Sequence, residues 1–334
     1  MAAGDFSPSE LAVVQVVADR MWADNRTRPD YEAKVEAFKA IKAEQTATVT
    51  MIEGEKDITA KVIWINGCDI ATAAITDDCT LTGSELEVES TNLALTLSRK
   101  CGFAVKEKLF RTNTFDRTDA IAKGMLKAMK ELDEYIAKQG ITRINSFGGT
   151  VNAYGDLGTL AAGVVTIPGA NWTIDLVPDL ILTGALNRFT NPYIISGSNL
   201  WKAWWNAKKD SGNLDGKGDN ERADEYRTYF DLINMDVVTS PDKKTFLVDR
   251  GAIAFASKAH YGATPVQYIG FGQLRYSMAS NSLPGVRYDV LYTNSCTSNE
   301  VTHKFELQAF FDYFLNPIGC TAGNTGVLVL KKGA

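Results

Sequence analysis

The chain has 334 residues, 45% hydrophobic, 22% charged and 10% aromatic, a globular composition that excludes a disordered or collagen-like chain and supplies enough apolar surface for a large core. Its 35 Lys and Arg against 40 Asp and Glu give a formal net charge of -5, so the chain as a whole lacks the basic footprint of a dedicated nucleic-acid binder. Only two histidines, His260 and His303, occur, which leaves little scope for zinc sites, histidine triads or imidazole relays.

Ser7, Pro8, Ser9 and Glu10 form a capping box with proline at the first helical position, and Leu11, Val14, Val17, Ala18 and Met21 follow at helical spacing, which predicts a helix over 8–22. Asp30 can cap a second helix over 31–44. Its apolar stripe of Val35, Phe38 and Ile41 is thin among Glu32, Lys34, Glu36, Lys39 and Lys42, and is expected to bury little within its own subunit. From Thr46 the period changes to two. Segments 46–52 and 58–65 read as strands, with a hairpin turn at Asn66 and Gly67. Segments 79–82 and 86–98 alternate after turn signals at Asp77, Asp78, Gly83 and Ser84, so long antiparallel hairpins are expected.

The clearest helix is predicted over 116–139, with Asp116 as N-cap and Gly140 as stop. Met125, Met129, Leu132 and Ile136, beside Ala122 and Leu126, form its apolar face, and Lys123, Lys127, Lys130, Glu131, Glu134 and Lys138 the other. Glu134 and Lys138 have the order of a favourable i, i+4 pair.

Residues 146–285 read as a separate α/β domain. It holds a helical segment over 179–188, a lead-in at 196–200 to Trp201, Trp204 and Trp205, a polar exposed or interface loop over 208–224, short strands at 234–239 and 246–248, and a small apolar segment at 251–258. Strands return at 288–292 and in the alternation of His303, Phe305, Leu307, Ala309, Phe311 and Tyr313, stopped by Asn316 and Pro317, with a last strand at 327–330.

No catalytic, cofactor-binding or metal-ligating residue stands out. Asp210, Asp215, Asp219 and Glu221 miss the calcium-loop pattern and read as a solvated loop. The glycines at 270 and 272 lack a third glycine and a following helix, and there is no phosphate loop or nucleophile elbow. Trp201, Trp204 and Trp205 could stack sugars or bases, but packing of a helix is favoured. His260 and His303 read as structural, Lys127 and Lys130 as a solvated face, and Cys101 as a plain thiol despite Arg99 and Lys100 beside it. The five cysteines, Cys68, Cys79, Cys101, Cys296 and Cys320, are an odd set without a C-x-x-C pair, which suggests reduced thiols. No signal peptide and no run of about 18 apolar residues appears, so the sequons at Asn25 and Asn171 read as coincidence. A chain of this length without acid–base pair, metal cluster or phosphate cradle is expected to assemble or bind rather than catalyse.

The order of these parts resembles the major capsid protein of tailed double-stranded-DNA bacteriophages. The likeness is carried by the helical N-terminal part, the long hairpin, the segment 92–105 (NLALTLSRKCGFAV) leading to the long helix, the central segments 191–200 (NPYIISGSNL) and 246–254 (FLVDRGAIA), and the closing strands with Asn316 and Pro317. It implies an α+β fold: an N-terminal arm at 1–45, an extended β-hairpin loop at 46–91 with 64–68 near a hairpin tip, a peripheral domain at 92–145 and 286–334 around a spine helix at about 116–139, and an axial α/β domain at 146–285 whose tip would be 208–224. It further implies self-assembly into hexamers and pentamers of an icosahedral shell enclosing double-stranded DNA without sequence-specific binding. Implied partners are a portal, a separate scaffolding protein and head-closure or decoration proteins, with assembly in the host cytoplasm, presence in the virion, no cofactor and no membrane. Lys56 and Lys61 lie in the loop where some relatives crosslink, but no partner asparagine or activating carboxylate is identifiable and no crosslink is predicted. The rival readings are a bacterial nanocompartment shell of the same fold and a two-domain solute-binding protein using the tryptophan cluster.

Overall fold

A computed structural model describes residues 6–51, 59–65, 88–108, 110, 116–149, 157–173, 176–211, 227–267, 273–297, 300–317 and 324–333. Helices and strands are mixed, as an α+β chain requires. The first helix, α1 (Pro8–Ala23), starts where the capping box places it: Glu10 donates its amide to Ser7 Oγ at 3.3 Å, and the Glu10 carboxylate accepts the Ser7 amide at 2.7 Å.

The second predicted helix is broken. A single turn, α2 (Arg28–Tyr31), is followed by extended residues and then α3 (Glu36–Ala43). Tertiary hydrogen bonds outcompete the helical ladder between them: the Ala33 amide donates to Ser282 Oγ at 3.2 Å, and the Lys34 carbonyl accepts from Asn234 Nδ2. The N-terminus of α3 is capped from far away in sequence by Asp231, which accepts the Ala37 amide at 3.2 Å. The thin stripe, expected to bury little, is completely covered within the chain: Val35, Ala37, Phe38, Ala40 and Ile41 are all buried.

Strands β1 (Thr48–Met51), β2 (Thr59–Ile65) and β3 (Val88–Ala94) form a three-stranded antiparallel sheet, as the alternation predicts. The turns at 66–67, 77–78 and 83–84 and the segment 79–82 lie outside the described residues. Trp64 is buried with Ala60, Val62 and Leu95 against Ala254 and Ala256, and the rest of the expected tip, 66–68, lies outside the described residues. The run 92–105 is not one strand. It ends β3 at Ala94, and β4 (Leu97–Lys106) joins a different sheet. Thr96 fixes the switch by donating its amide and hydroxyl to Asp312, at 3.0 and 2.6 Å, and Arg143 pairs with the same carboxylate at 3.1 Å.

The long helix, α4 (Arg117–Ser146), has 30 residues, about 45 Å at 1.5 Å per residue. Asp116 caps it by accepting the Thr118 amide, and Met125, Met129, Leu132 and Ile136 are buried as the spacing predicts. Glu134 and Lys138 pair at 3.9 Å. Gly140 does not stop it. That glycine is a packing position: a Cβ there would lie 2.8 Å from the Tyr313 ring and hydroxyl, whose O–H donates to the Ile136 carbonyl at 2.9 Å. Gly124 likewise seats Phe103, with a Cβ only 2.5 Å from its ring.

After β5 (Thr159–Ala161) and β6 (Val164–Ile167) come α5 (Leu176–Leu186), β7 (Tyr193–Ser196), α6 (Ser198–Ser211) and β8 (Thr228–Phe230). Residues 234–239, expected as a strand, lie mostly in a helix, α7 (Leu232–Val238), because Asp231 caps it by accepting the Asn234 amide at 3.2 Å. The remaining strands are β9 (Thr245–Val248), β10 (Ile253–Lys258), β11 (Val266–Gln267), β12 (Gln273–Ala279), β13 (Arg287–Thr297), β14 (Glu300–Leu315) and β15 (Val327–Lys332).

Sheet membership departs from the sequence grouping. Strands β10, β11 and β12, placed with 146–285, pair in one six-stranded sheet in the order β10-β14-β13-β12-β11, with β4 also on β14. Strand β15, placed with 286–334, sits inside the other sheet, β5-β6-β15-β9-β7-β8. The reason is burial. Val327 and Val329 face the large core with Tyr193, Ile195, Phe246 and Val248, while Leu328 and Leu330 face α5 and α6 with Ile194 and Leu247. A strand apolar on both faces fits only the middle of a covered sheet.

The large core lies between α4 and the sheet of β4 and β10 to β14, and α1 and α3 close it. Within it, Asp133 of α4 is buried and accepts hydrogen bonds from Ser280 Oγ at 2.7 Å and from the Tyr288 hydroxyl. Burial pushes its carboxyl up to about 7, against the downward pull of the Tyr288, Ser280 and Ser282 hydrogen bonds and with a smaller upward push from Glu134.

Two outcomes follow from this packing. An alanine in place of a mid-helix glycine normally stabilises by about 1 kcal/mol, but Gly140→Ala should destabilise by about 1–3 kcal/mol in urea unfolding because Tyr313 has nowhere to retreat; a raised midpoint would disprove the packing role. For Asp133, the folded chain keeps between pH 4 and 7 a proton that the unfolded chain has released, so this group's stability contribution falls as pH rises across that window. Asp133→Asn keeps the accepting oxygen, and its Tm should gain on the parent from pH 5 to pH 7 and level off above that, the gain corresponding to about 3 kcal/mol at most; parallel Tm curves would refute this.

Candidate functional site

The residues singled out by sequence do not converge. His303 is buried, with Nδ1 2.9 Å from the Tyr292 hydroxyl and Phe6 edge-on to its ring. His260 lies elsewhere: its Nδ1 is 2.8 Å from Asp289, whose carboxylate also accepts the His260 and Tyr261 amides. Both imidazoles are structural pieces of the sheet and its flanking loop. Cys101 is half-buried on β4, and burial pushes its thiol up, with Glu131 adding to this and Arg99 opposing it, so its basic neighbours do not make it a ready nucleophile. Lys130 reaches the Asp30 carbonyl at 3.1 Å and tethers the N-terminal segment, while Lys127 is exposed.

Among the described residues no group of three or more His, Cys, Asp or Glu could hold a metal ion. No described helix is long and apolar enough to cross a membrane. The glycines at 270 and 272 and the acidic cluster Asp215, Asp219 and Glu221 lie outside the described residues. Of the polar stretch 208–224, the first four residues belong to α6 rather than a loop.

What sequence reasoning misses is the join between the two six-stranded sheets. The chain crosses it at 249–252 and again between β14 and β15, and Glu44, just after α3, is buried there. Its carboxylate accepts two hydrogen bonds from Arg227 Nη1, at 2.7 and 2.9 Å, and Arg250 Nε lies 3.8 Å away. The Glu44 carbonyl takes the Gly251 amide at 2.9 Å. Gly251 has φ +78, and a Cβ would strike Thr46 Oγ1 at 2.1 Å, so only glycine fits. The one advance signal is Glu44 itself, an acid at the end of an otherwise apolar-striped helix.

The surface carries the strongest functional signal. Four helices each present a pair of apolar side chains to solvent at i, i+3 or i, i+4 spacing. They are Val13 with Val16 on α1, Leu182 with Leu186 on α5, Trp201 with Trp205 on α6, and Ile233 with Val237 on α7. Leu182 is 61% exposed, Trp205 52%, Ile233 57% and Val237 64%. Trp201 and Trp205 stack on each other at 5.5 Å between centroids, whereas Trp204 packs inward on Phe230. Single exposed apolar residues are ordinary, but paired ones on one helix face after another mark surfaces meant to be covered. Among the described residues the geometry offers several separate apolar contact faces.

No protein-family model matches the chain, and no curated relative matches it. Among solved structures, it is similar to a cyanophage A-1(L) capsid asymmetric unit, at TM-score 0.48 and 12% identity over 90% of this chain and 93% of that one. It is also similar to the capsid of a native GTA particle, at 0.47 and 13% over 90% and 91%, and to a structure from Mycobacterium phage Adephagia, at 0.45 and 13% over 91% of each. At such identities no residue's role passes from one chain to the other.

Proposed function

We propose that the chain is the structural subunit of an icosahedral shell around a phage DNA genome, closing into hexamers and pentamers in the host cytoplasm and ending in the virion. The observation that carries this is the set of exposed apolar pairs on α1, α5, α6 and α7. Among the described residues they point away from the buried core, and surfaces of this kind are covered by partner subunits in assemblies. Several separate faces on one subunit suit heterologous ring-closing contacts better than a single two-fold dimer patch.

In this reading the body of α4 and its sheet is the peripheral domain and the sheet with β15 at its centre the axial domain. The three-stranded sheet belongs to a loop reaching a neighbour, and the first 45 residues form an arm whose α3 is anchored on its own subunit. A portal, a separate scaffolding protein and head-closure or decoration proteins are the partners such a shell uses. No residue needs to catalyse. A net charge of -5 lets the shell contain DNA without gripping its phosphates.

The test is assembly followed by electron microscopy and size exclusion, with a scaffolding protein supplied. The parent chain should give shells. Leu182→Asp with Leu186→Asp, and separately Ile233→Asp with Val237→Asp, should lower the shell fraction by roughly tenfold or more while circular dichroism of the subunit stays unchanged. A parent chain that stays monomeric under every assembly condition, or variants that assemble as well as it does, would overturn the reading.

A further inference from the structure

We infer that the outer edge of β4 and the groove beside it accept an extended acidic peptide as an added β-strand. This goes beyond the shell reading and does not rest on it. Glu107, directly after β4, donates its amide to the Val301 carbonyl at 2.9 Å. In an antiparallel ladder this fixes the alternation. The backbone groups of Arg99, Cys101, Phe103 and Val105 turn toward β14, and those of Ser98, Lys100, Gly102, Ala104 and Lys106 turn away from it. Among the described residues no strand pairs with β4 on that side. Five residues thus offer amides and carbonyls at the spacing an added strand uses.

Beside this edge runs α4, and between them lies a groove of about 280 Å³ lined by Arg99, Lys100, Cys101, Leu132, Tyr135 and Lys138, with Glu131 as its one acid. Leu132, Tyr135 and Cys101 give it an apolar floor. An added strand would place alternate side chains over that floor and the others on the opposite face of the sheet, beside Lys100 and Lys106, which already meet Glu306 at 3.4 Å and Glu300 at 3.2 Å across exposed pairs.

The charge selects the occupant. Strand β4 carries Arg99, Lys100 and Lys106 and no acid, so a second copy of β4 would set cations against cations, a common protection of exposed edges. A strand with carboxylates alternating with apolar residues meets both features: carboxylates toward the lysines, apolar side chains into the groove. The partner is therefore a protein segment of that alternating acidic and apolar character.

The experiment uses the full chain and a synthetic seven-residue peptide alternating glutamate and valine, capped at both ends, titrated by calorimetry and followed by amide hydrogen exchange. Saturable binding is expected, with slowed exchange at Lys100, Gly102 and Ala104. It should weaken at least tenfold in Lys100→Glu with Lys106→Glu, and vanish when alternate peptide amides are N-methylated. Equal binding by the N-methylated peptide, equal binding by a peptide with lysine in place of glutamate, protection confined to other strands, or no binding at millimolar peptide would each overturn the inference. The N-methylated peptide acts on the parent chain, so the inference stays testable even if the double variant folds poorly. Failure to form shells would leave this result untouched.

Discussion

A 30-residue helix lies along an aromatic-rich sheet only if its backbone can come close to the rings, and in this chain two glycines permit that approach. Gly124 seats Phe103 and Gly140 seats Tyr313, the first ring from β4 and the second from β14. The two contacts lie 16 positions apart, about 24 Å along the helix axis, and they fix both the height of α4 above the sheet and its direction across it. The rest of the large core depends on that placement. Leu132, Ile136 and Ile144 reach the sheet from the face so defined, α1 and α3 pack on α4, and Asp133 is carried into the interior where only hydroxyl donors meet it.

The second constraint is the N-terminal segment, which works as a wedge rather than a free arm over the described part of its length. Polar contacts hold it, among them the Ala33 amide on Ser282, the Ala37 amide on Asp231, and Glu44 between Arg227 and Arg250. The partners come from three stretches far along the chain, 227–231, Arg250 and Ser282, so the seating of the segment depends on long-range contacts. Glu44 also marks the point where the chain crosses from one sheet to the other at 249–252. Breaking a buried ion pair on one side leaves an uncompensated charge, which costs more than the pair itself contributes. A residue that belongs to neither sheet thus ties Arg227, just before β8, to the 249–252 crossing.

With the interior closed in this way, the apolar side chains left outside acquire meaning. Leu182, Leu186, Ile233 and Val237 are not surplus from an incomplete core, because the inner faces of α5 and α7 are buried by Leu176, Val177, Leu180 and Met235. Among the described residues, the outer apolar sides of these helices have no covering partner. These outer faces are broad and apolar, while the edge of β4, unpaired among the described residues, is a different kind of surface, directional and basic.

Much of this was legible from residues alone wherever a local rule decides the outcome. Ser7 with Glu10 and Asp116 with Thr118 place helix starts through bonds three or two residues long, and the alternation in 58–65 and 303–313 gives strands with the correct inner faces. The two histidines, read as structural, each meet a polar partner inside the fold, His303 at Tyr292 and His260 at Asp289. Local rules failed where a distant group supplied the deciding contact. Gly140 looked like a stop because sequence shows its lack of a side chain but not the Tyr313 ring that requires it. Residues 32–35 looked helical because Ser282 and Asn234 are about 200 residues and more away. Residues 234–239 read as a strand by their apolar content, and Asp231 turned them into a helix.

Residue type and periodicity act over a few positions, and they were enough to set the class of the molecule: a mixed helix-and-sheet chain with one dominant helix and long antiparallel strands. Which strands share a sheet is a matter of long-range burial and could be settled only by the folded chain. Strands β10 to β12 and β15 exchanged places relative to chain order because a strand joins the sheet that covers its apolar faces. Leu328 and Val329 point to opposite sides, and both sides had to be dry.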